Sequence, residues 1–325
     1  MERLRAFSPA DDALHGPSGI IGTFGEVWFT SIADHRVGRV RAGGFVQVFS
    51  DPGDLVRLPA NIFPGADGRV WFTSLGSDRL GAIDPAADDP STTIVTYALP
   101  EGSRPVALKS AADGLLWSSL RGADAIVSLD PRADDPLATL QWFRSTSIDA
   151  PAALFTAADG RIWWVNSGSD ALGVLDPATG EIRELTLRSG SGAPRAWAET
   201  ADGRLWLTAR SPAGLLSFDP SDPEGSLERC ETASLQEPDG VCLGPDGALW
   251  IADTAANTIV RFDPANGSWT TAGTAPQVDG PFDIKPGPDG ASVWFTNKTG
   301  NTIGRLSTGD EARAGRDSVV DEDRG

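Results

Sequence analysis

Short apolar runs alternate with Gly, Pro and Asp turns along nearly the whole chain, and they recur in one fixed order. The clearest copy is Asp67-Gly68-Arg69-Val70-Trp71-Phe72-Thr73. An Asp-Gly turn is followed by a Trp and a short run of apolar and hydroxyl residues. The phrase returns around Trp28, Trp117, Trp163, Trp206, Trp250 and Trp294, a period of about 43 to 46 residues that marks a propeller of four-stranded blades. About eleven residues before each Trp lies a proline: Pro17, Pro59, Pro105, Pro151, Pro194, Pro238 and Pro281. Three residues after each proline comes Ile20, Ile62, Leu108, Leu154, Trp197, Val241 or Ile284, which starts an innermost strand A. The Asp-Gly pair tolerates positive φ and turns the chain back into strand B, the Trp run. Strand C follows, as in Leu80-Gly81-Ala82-Ile83 or Ile303-Gly304-Arg305-Leu306, and five of the C strands end in Asp-Pro. Strand D follows in most repeats, as in Ile182-Arg183-Glu184-Leu185-Thr186-Leu187. The pattern predicts an all-β, seven-bladed propeller of four-stranded antiparallel blades.

The seventh repeat lacks a strand D, whereas Glu2-Arg3-Leu4-Arg5-Ala6-Phe7 reads as a D strand without a blade. Residues 2–8 are therefore expected to complete the last blade and close the ring without an open edge. Residues 1–306 form one propeller on this reading. Residues 307–325, polar, charged and free of aromatics, are expected to be a disordered acidic tail. The seven periodic Trp residues are assigned to packing between blades.

Charge narrows the partners. A formal net charge of −18 argues against nucleic acid and against an anionic membrane surface. No stretch is long and apolar enough to span a membrane, and the first residues lack the apolar core of a secretory signal. Cys230 and Cys242 fall in a strand D and a strand A and read as reduced thiols, with a disulfide left open. A cytoplasmic, monomeric protein is expected.

Alternating strand direction places the D–A and B–C loops on one face, the top, and the A–B turns and C–D loops on the bottom. The bottom collects Asp67, Asp113, Asp159, Asp202, Asp246 and Asp289. It also carries acidic loops such as 84–89 and 130–135. Their spacing matches no twelve-residue calcium loop, and solvated turns are the simpler reading. The top rim varies from blade to blade. The residue after each proline is Ser18, Ala60, Val106, Ala152, Arg195, Asp239 or Phe282. The third and fourth residues after the Trp give Asn166-Ser167 and Leu120-Arg121. In the last three blades they give Ala209-Arg210, Asp253-Thr254 and Asn297-Lys298. Both histidines, His15 and His35, fall in top-face loops of the first blade.

Pro17-Ser18-Gly19-Ile20, Val27-Trp28-Phe29-Thr30 and Thr302-Ile303-Gly304-Arg305-Leu306, repeated in variants around the ring, resemble the virginiamycin B lyase (streptogramin lyase) family over residues 2 to about 307. The resemblance implies metal-dependent elimination that opens a cyclic depsipeptide, in which a base removes an α-proton and the ester oxygen leaves. The family carries histidines after the proline of its last two blades, a glutamate just after the last Trp run, and an aromatic hydroxyl after the first proline. Here the matching positions hold Asp239, Phe282, Asn297 and Ser18. A second, local resemblance, Pro238-Asp239-Gly240-Val241-Cys242, is to gluconolactonase/senescence-marker propellers and implies a metal-ligand role for Asp239.

These residues support an enzyme at the top-face mouth. Asp239 and Asp253 are the carboxylates available for a divalent cation, Mg²⁺ or Ca²⁺, or for acid/base work, and His15 is the candidate nitrogen base. Arg121, Arg195, Arg210 and Lys298 can hold an anionic group or a developing enolate, with Asn166, Asn297, Phe282 and Ser18 completing a substrate surface. The expected ligand is a small molecule, anionic or a cyclic ester, and no organic cofactor is implied. A lyase, isomerase or cyclase reaction leads, with metal-dependent lactone or ester hydrolysis second. No Ser-His-Asp or Cys-His motif stands out. The same charges can equally form interblade salt bridges around the mouth of a non-catalytic propeller that binds a metabolite or protein.

Overall fold

The computed structural model describes residues 3–10, 14–169, 171–187 and 192–309. Among them the strands form seven four-stranded antiparallel sheets, each in the order A-B-C-D from the axis outward. The ring closes as expected. The N-terminal strand Leu4–Phe7 pairs with Thr302–Ser307, the C strand of blade seven, with Leu4 opposite Leu306 and Phe7 opposite Ile303. Glu2 lies outside the described residues. Ser307 still belongs to the C strand of blade seven, and most of the expected tail, 310–325, also lies outside them. No helix among the described residues is long and apolar enough to cross a membrane.

Each residue of the Trp-Phe-Thr motif has a separate task. The Trp residues fill the spaces between blades; Trp71, fully buried, packs with Leu108, Leu116 and Leu129 of the next blade. The following residue lies across strand C, and its size is matched there. Phe29, Phe72, Trp164 and Phe295 stand directly opposite Gly38, Gly81, Gly173 and Gly304, where a Cβ would overlap the ring. The smaller Ser118, Leu207 and Ile251 instead face Val127, Leu216 and Val260. The Ile-Gly-Arg-Leu signature is thus the imprint of an aromatic ring on the neighbouring strand.

The third residue clasps one blade to the next. Thr73 Oγ1 accepts from Asn61 N at 3.0 Å in its own strand A and donates to Val106 O at 3.2 Å in the next blade. Thr30, Ser119, Thr208 and Thr296 repeat the arrangement. In blade seven Thr296 reaches Ser18 O of blade one at 3.0 Å, a second closure of the ring.

The bottom-face aspartates serve their turns. Asp67, Asp113, Asp159, Asp202, Asp246 and Asp289 each accept the backbone N–H two residues on. In the two acidic loops Asp89 and Asp135 cap short 3₁₀ turns at Pro90–Thr93 and Pro136–Thr139, which the sequence pattern does not announce. Cys230 and Cys242 are free thiols.

Candidate functional site

All seven innermost strands carry a register shift just after their proline. Proline brings no N–H to the ladder, so pairing lapses there and the next residues turn to the axis. The residues after the prolines, Ser18, Ala60, Val106, Ala152, Arg195, Asp239 and Phe282, consequently line one axial cavity of about 400 Å³. Ile32, Leu75, Arg121, Ser167 and Lys298, each four residues after a Trp, complete its mouth.

Asp239 is the hub of the mouth. Its side chain is 3% exposed and takes Arg195 Nε at 3.2 Å, Arg210 Nη2 at 2.5 Å and Thr254 Oγ1 at 2.5 Å. Arg210 is held through this carboxylate and does not itself line the cavity. The interblade ion pair anticipated from the sequence is therefore present. Lys298 lies over the Phe282 ring, its Nζ 4.2 Å from the centroid, with no carboxylate within ion-pair distance among the described residues. Desolvation pushes its pKa down; Asp239 opposes the shift, while Arg195 and Arg210 add to it. Arg121 also lines the cavity without a side-chain partner among the described residues.

Deeper in the same cavity lie three charged residues that the rim positions do not reveal: Lys109, Asp283 and Lys285. They occupy the fourth residue after Pro105 and the second and fourth after Pro281. Strand alternation puts second and fourth residues on one face, so this signal was available in the sequence. Asp283 accepts Ile20 N of blade one at 3.1 Å and Lys285 Nζ at 2.5 Å. Lys109 Nζ stands 4.5 Å from the centroid of the Phe63 ring. Burial, followed by the charge of Lys285, lowers the Lys109 pKa to about 7 despite the opposing pull of Asp283. Cys242 nearby is pushed up to about 12 by burial and stays a thiol.

Several expected site residues face elsewhere. The third residue after the Trp points into the blade and ties down the D–A loop. Asp253, fully buried, accepts Gln236 N at 2.6 Å, Glu237 N at 3.0 Å and Ala256 N at 3.1 Å. Asn166 and Asn297 bond the loops at 147–149 and 277–279 in the same way. These three do not line the cavity. His15 is exposed outside the lining, its backbone N and O both held by Ser31 Oγ, so it is not positioned as the base. His35 caps a neighbouring turn by accepting Leu58 N at 3.2 Å.

The divalent cation that the family resemblance implies does not fit the side chains as placed. Both oxygens of Asp239 are occupied by guanidinium and hydroxyl donors, and both oxygens of Asp253 by backbone amides. Among the described residues no three His, Cys, Asp or Glu side chains are grouped to hold a metal.

The cavity is lined by five cations, Lys109, Arg121, Arg195, Lys285 and Lys298, against two carboxylates, Asp239 and Asp283. A chain of net charge −18 thus keeps a cationic chamber on its axis. The molecule is a seven-bladed propeller with a polar axial cavity of small-molecule size. It belongs to the virginiamycin B lyase family, whose model matches residues 6–219. Among solved structures it is similar to a catalytically inactive virginiamycin B lyase from Staphylococcus aureus with quinupristin (20% identity, TM-score 0.81, covering 94% of this chain and 98% of that one). A streptogramin B lyase structure gives 22% identity, TM-score 0.80 and coverage of 94% and 97%. Kuenenia stuttgartiensis hydrazine synthase shares the fold at 15% identity, with TM-score 0.73 and coverage of 93% and 97%. No match is found among curated proteins.

Proposed function

We propose that this protein is a lyase-like enzyme that carries out elimination, isomerisation or cyclisation on a small anionic molecule in the axial cavity, with a substrate different from that of the streptogramin lyases. The excess of five cations over two carboxylates in the lining, with Lys109, Arg121 and Lys298 unpaired among the described residues, carries this reading. Negative charge on a carboxylate, or developing on an enolate as a C–H proton leaves, is stabilised by Lys298, Arg121 and Arg195 in a site partly removed from water. The apolar part of the lining, including Phe155, Trp197 and Phe282, accommodates a carbon skeleton. Family membership supports lyase chemistry. The replacements Asp239, Phe282, Asn297 and Ser18 support a changed substrate.

Incubation with a streptogramin B depsipeptide, small lactones and carboxylates bearing a β-oxygen leaving group, followed by mass spectrometry, tests the reading. Elimination that opens a lactone gives a product of unchanged mass, and loss of an acyclic leaving group gives an unsaturated acid; either result supports it, whereas ring opening of the depsipeptide keeps the lyase chemistry and overturns the changed substrate. A product heavier by one water moves the protein to lactone or ester hydrolysis. Saturable binding without turnover favours a metabolite-binding propeller, the reading to which the fully engaged Asp239 lends weight.

A further inference from the structure

The chain contains 27 Lys and Arg residues, of which only three are lysines: Lys109, Lys285 and Lys298. All three line the axial cavity. Elsewhere arginine is used, repeatedly paired with a carboxylate, as in Arg69–Asp67, Arg161–Asp159 and Arg305–Asp289. Arginine holds an anion as well as lysine does, and often better through its fork. Lysine alone can give up its proton within the ordinary pH range. Its confinement to one cavity points to amine chemistry there, beyond anion binding.

The three lysines are not equivalent. Lys285 is paired with Asp283 at 2.5 Å and also donates to Ile284 O at 3.0 Å. Lys298 lies at the mouth over Phe282. The Lys109 side chain makes no hydrogen bond or ion pair among the described residues; it reaches the cavity past the Phe63 ring and faces Lys285 and Asp283. On the basis of the lyase-like reading, we infer that Lys109 is the catalytic amine of this cavity. It takes a proton from the carbon next to a carboxylate or carbonyl group of an anionic substrate.

In the step, the C–H bond breaks and its proton goes to the Lys109 nitrogen lone pair. The C–H electron pair moves towards the adjacent carbonyl as an enolate, beside Lys285 and Lys298. It then expels a β-oxygen leaving group, which the Lys109 ammonium protonates, or it takes the proton back on carbon. No oxidant or added reagent is required. The physical support is the local field: burial and the neighbouring Lys285 ammonium disfavour a charged Lys109, bringing its pKa to about 7, where a base is half free at neutral pH. The other groups near it leave that balance intact. Phe63 and Asn61 do not titrate, and Asp283 is already engaged by Lys285 and two backbone amides.

Trace labelling of the wild-type protein with acetic anhydride between pH 5.5 and 10.5, read by peptide mass spectrometry, needs no substrate. The chain offers only its N-terminal amine and three lysines, so assignment is direct. Lys109 is expected to acetylate with a midpoint near pH 7, and 20 mM succinate is expected to slow it several-fold. A Lys109 midpoint near that of free lysine, or no labelling while Lys298 reacts, overturns the proposal. If a compound from the panel above is turned over, Lys109→Met and Lys109→Arg should both lower kcat at least 100-fold. Rescue by arginine would instead assign Lys109 a purely electrostatic role and reject the amine. Absence of any turnover would sink the lyase-like reading, while the labelling result on Lys109 stands separately.

Discussion

The underside of the ring and its axial cavity handle charge in opposite ways. Beneath the blades, Asp67, Asp159, Asp246 and Asp289 each hold a turn amide and an arginine at 2.5 to 2.8 Å. Supply and demand are matched locally, and solvent is close by. On the axis, Lys109, Arg121 and Lys298 stand without a carboxylate partner among the described residues, and Asp239 is shared between two arginines and a threonine. A fold that could have matched these charges, as it does a short distance away, leaves cations facing a cavity. Removing charge from water costs free energy unless it is compensated, so the imbalance supports the proposal of an anionic ligand.

The sharpest way to break the contrast is to remove the carboxylate that compensates two arginines at the mouth. Asp239→Ala strands Arg195 and Arg210, while Thr254 Oγ1 keeps Pro281 O as its acceptor. Both guanidiniums keep some contact with water, so the cost should be about 2–3 kcal/mol, less than the ~3–5 expected for a fully buried pair. Urea unfolding measures it. A loss below about 0.5 kcal/mol would mean that the mouth is no more demanding than the underside. A slightly smaller loss, about 1–3 kcal/mol, is expected for Thr296→Val. This change keeps the shape but leaves Asp283 N and Ser18 O unpaired at the ring closure.

The unpaired cations should behave in the reverse sense. The folded-state pKa of Lys109, about 7, lies below that of a lysine in the unfolded chain. Between about pH 7 and the ordinary lysine range the unfolded chain therefore carries the extra proton, so this group's contribution to stability rises with pH. Below pH 7 its full penalty is present. Lys109→Met should accordingly be more stable than the wild type at pH 6, and the gap should narrow steadily by pH 9. Paired thermal melts at the two pH values check this; a gap that widens with pH would contradict the assigned environment.

The same contrast separates what the sequence displays from what it conceals. Prolines, Asp-Gly turns and the Trp run are local signals with local causes, and they place every blade. The residues after the prolines were also legible as cavity-lining, because a strand that begins with proline cannot pair there; Ser18, Arg195, Asp239 and Phe282 all face the axis. The third residue after the Trp misleads. Asp253, Asn166 and Asn297 are polar and lie beside the mouth, yet each is short enough to bond the loop amides above its own blade and turns inward to do so. Which carboxylate captures which arginine depends on three-dimensional spacing between blades that no repeat alignment carries. Lys109 and Lys285 were visible in principle, as two charged residues in an otherwise apolar or neutral set of fourth positions, but a search confined to the rim passes over them.

The smallest expected effect is on the underside, and it limits how far the comparison can be pressed. Arg161 bonds Asp159 at 2.5 Å, as short as the Arg210–Asp239 contact. Distance alone would rank the two equally. Exposure does not: the Asp159 side chain is 34% exposed and that of Asp239 is 3%. When Arg161 is removed, water replaces it at Asp159, and Asp159 keeps the turn amide of residue 161, which alanine retains. Arg161→Ala should therefore cost no more than about 0.5 kcal/mol. Whatever loss appears at low ionic strength should shrink in 0.5 M NaCl, because both the pair and the repulsion within an acidic chain are screened. A salt-insensitive loss above about 2 kcal/mol would show that solvent access does not distinguish the two faces, and the argument from unpaired cations to a ligand would lose its reference point.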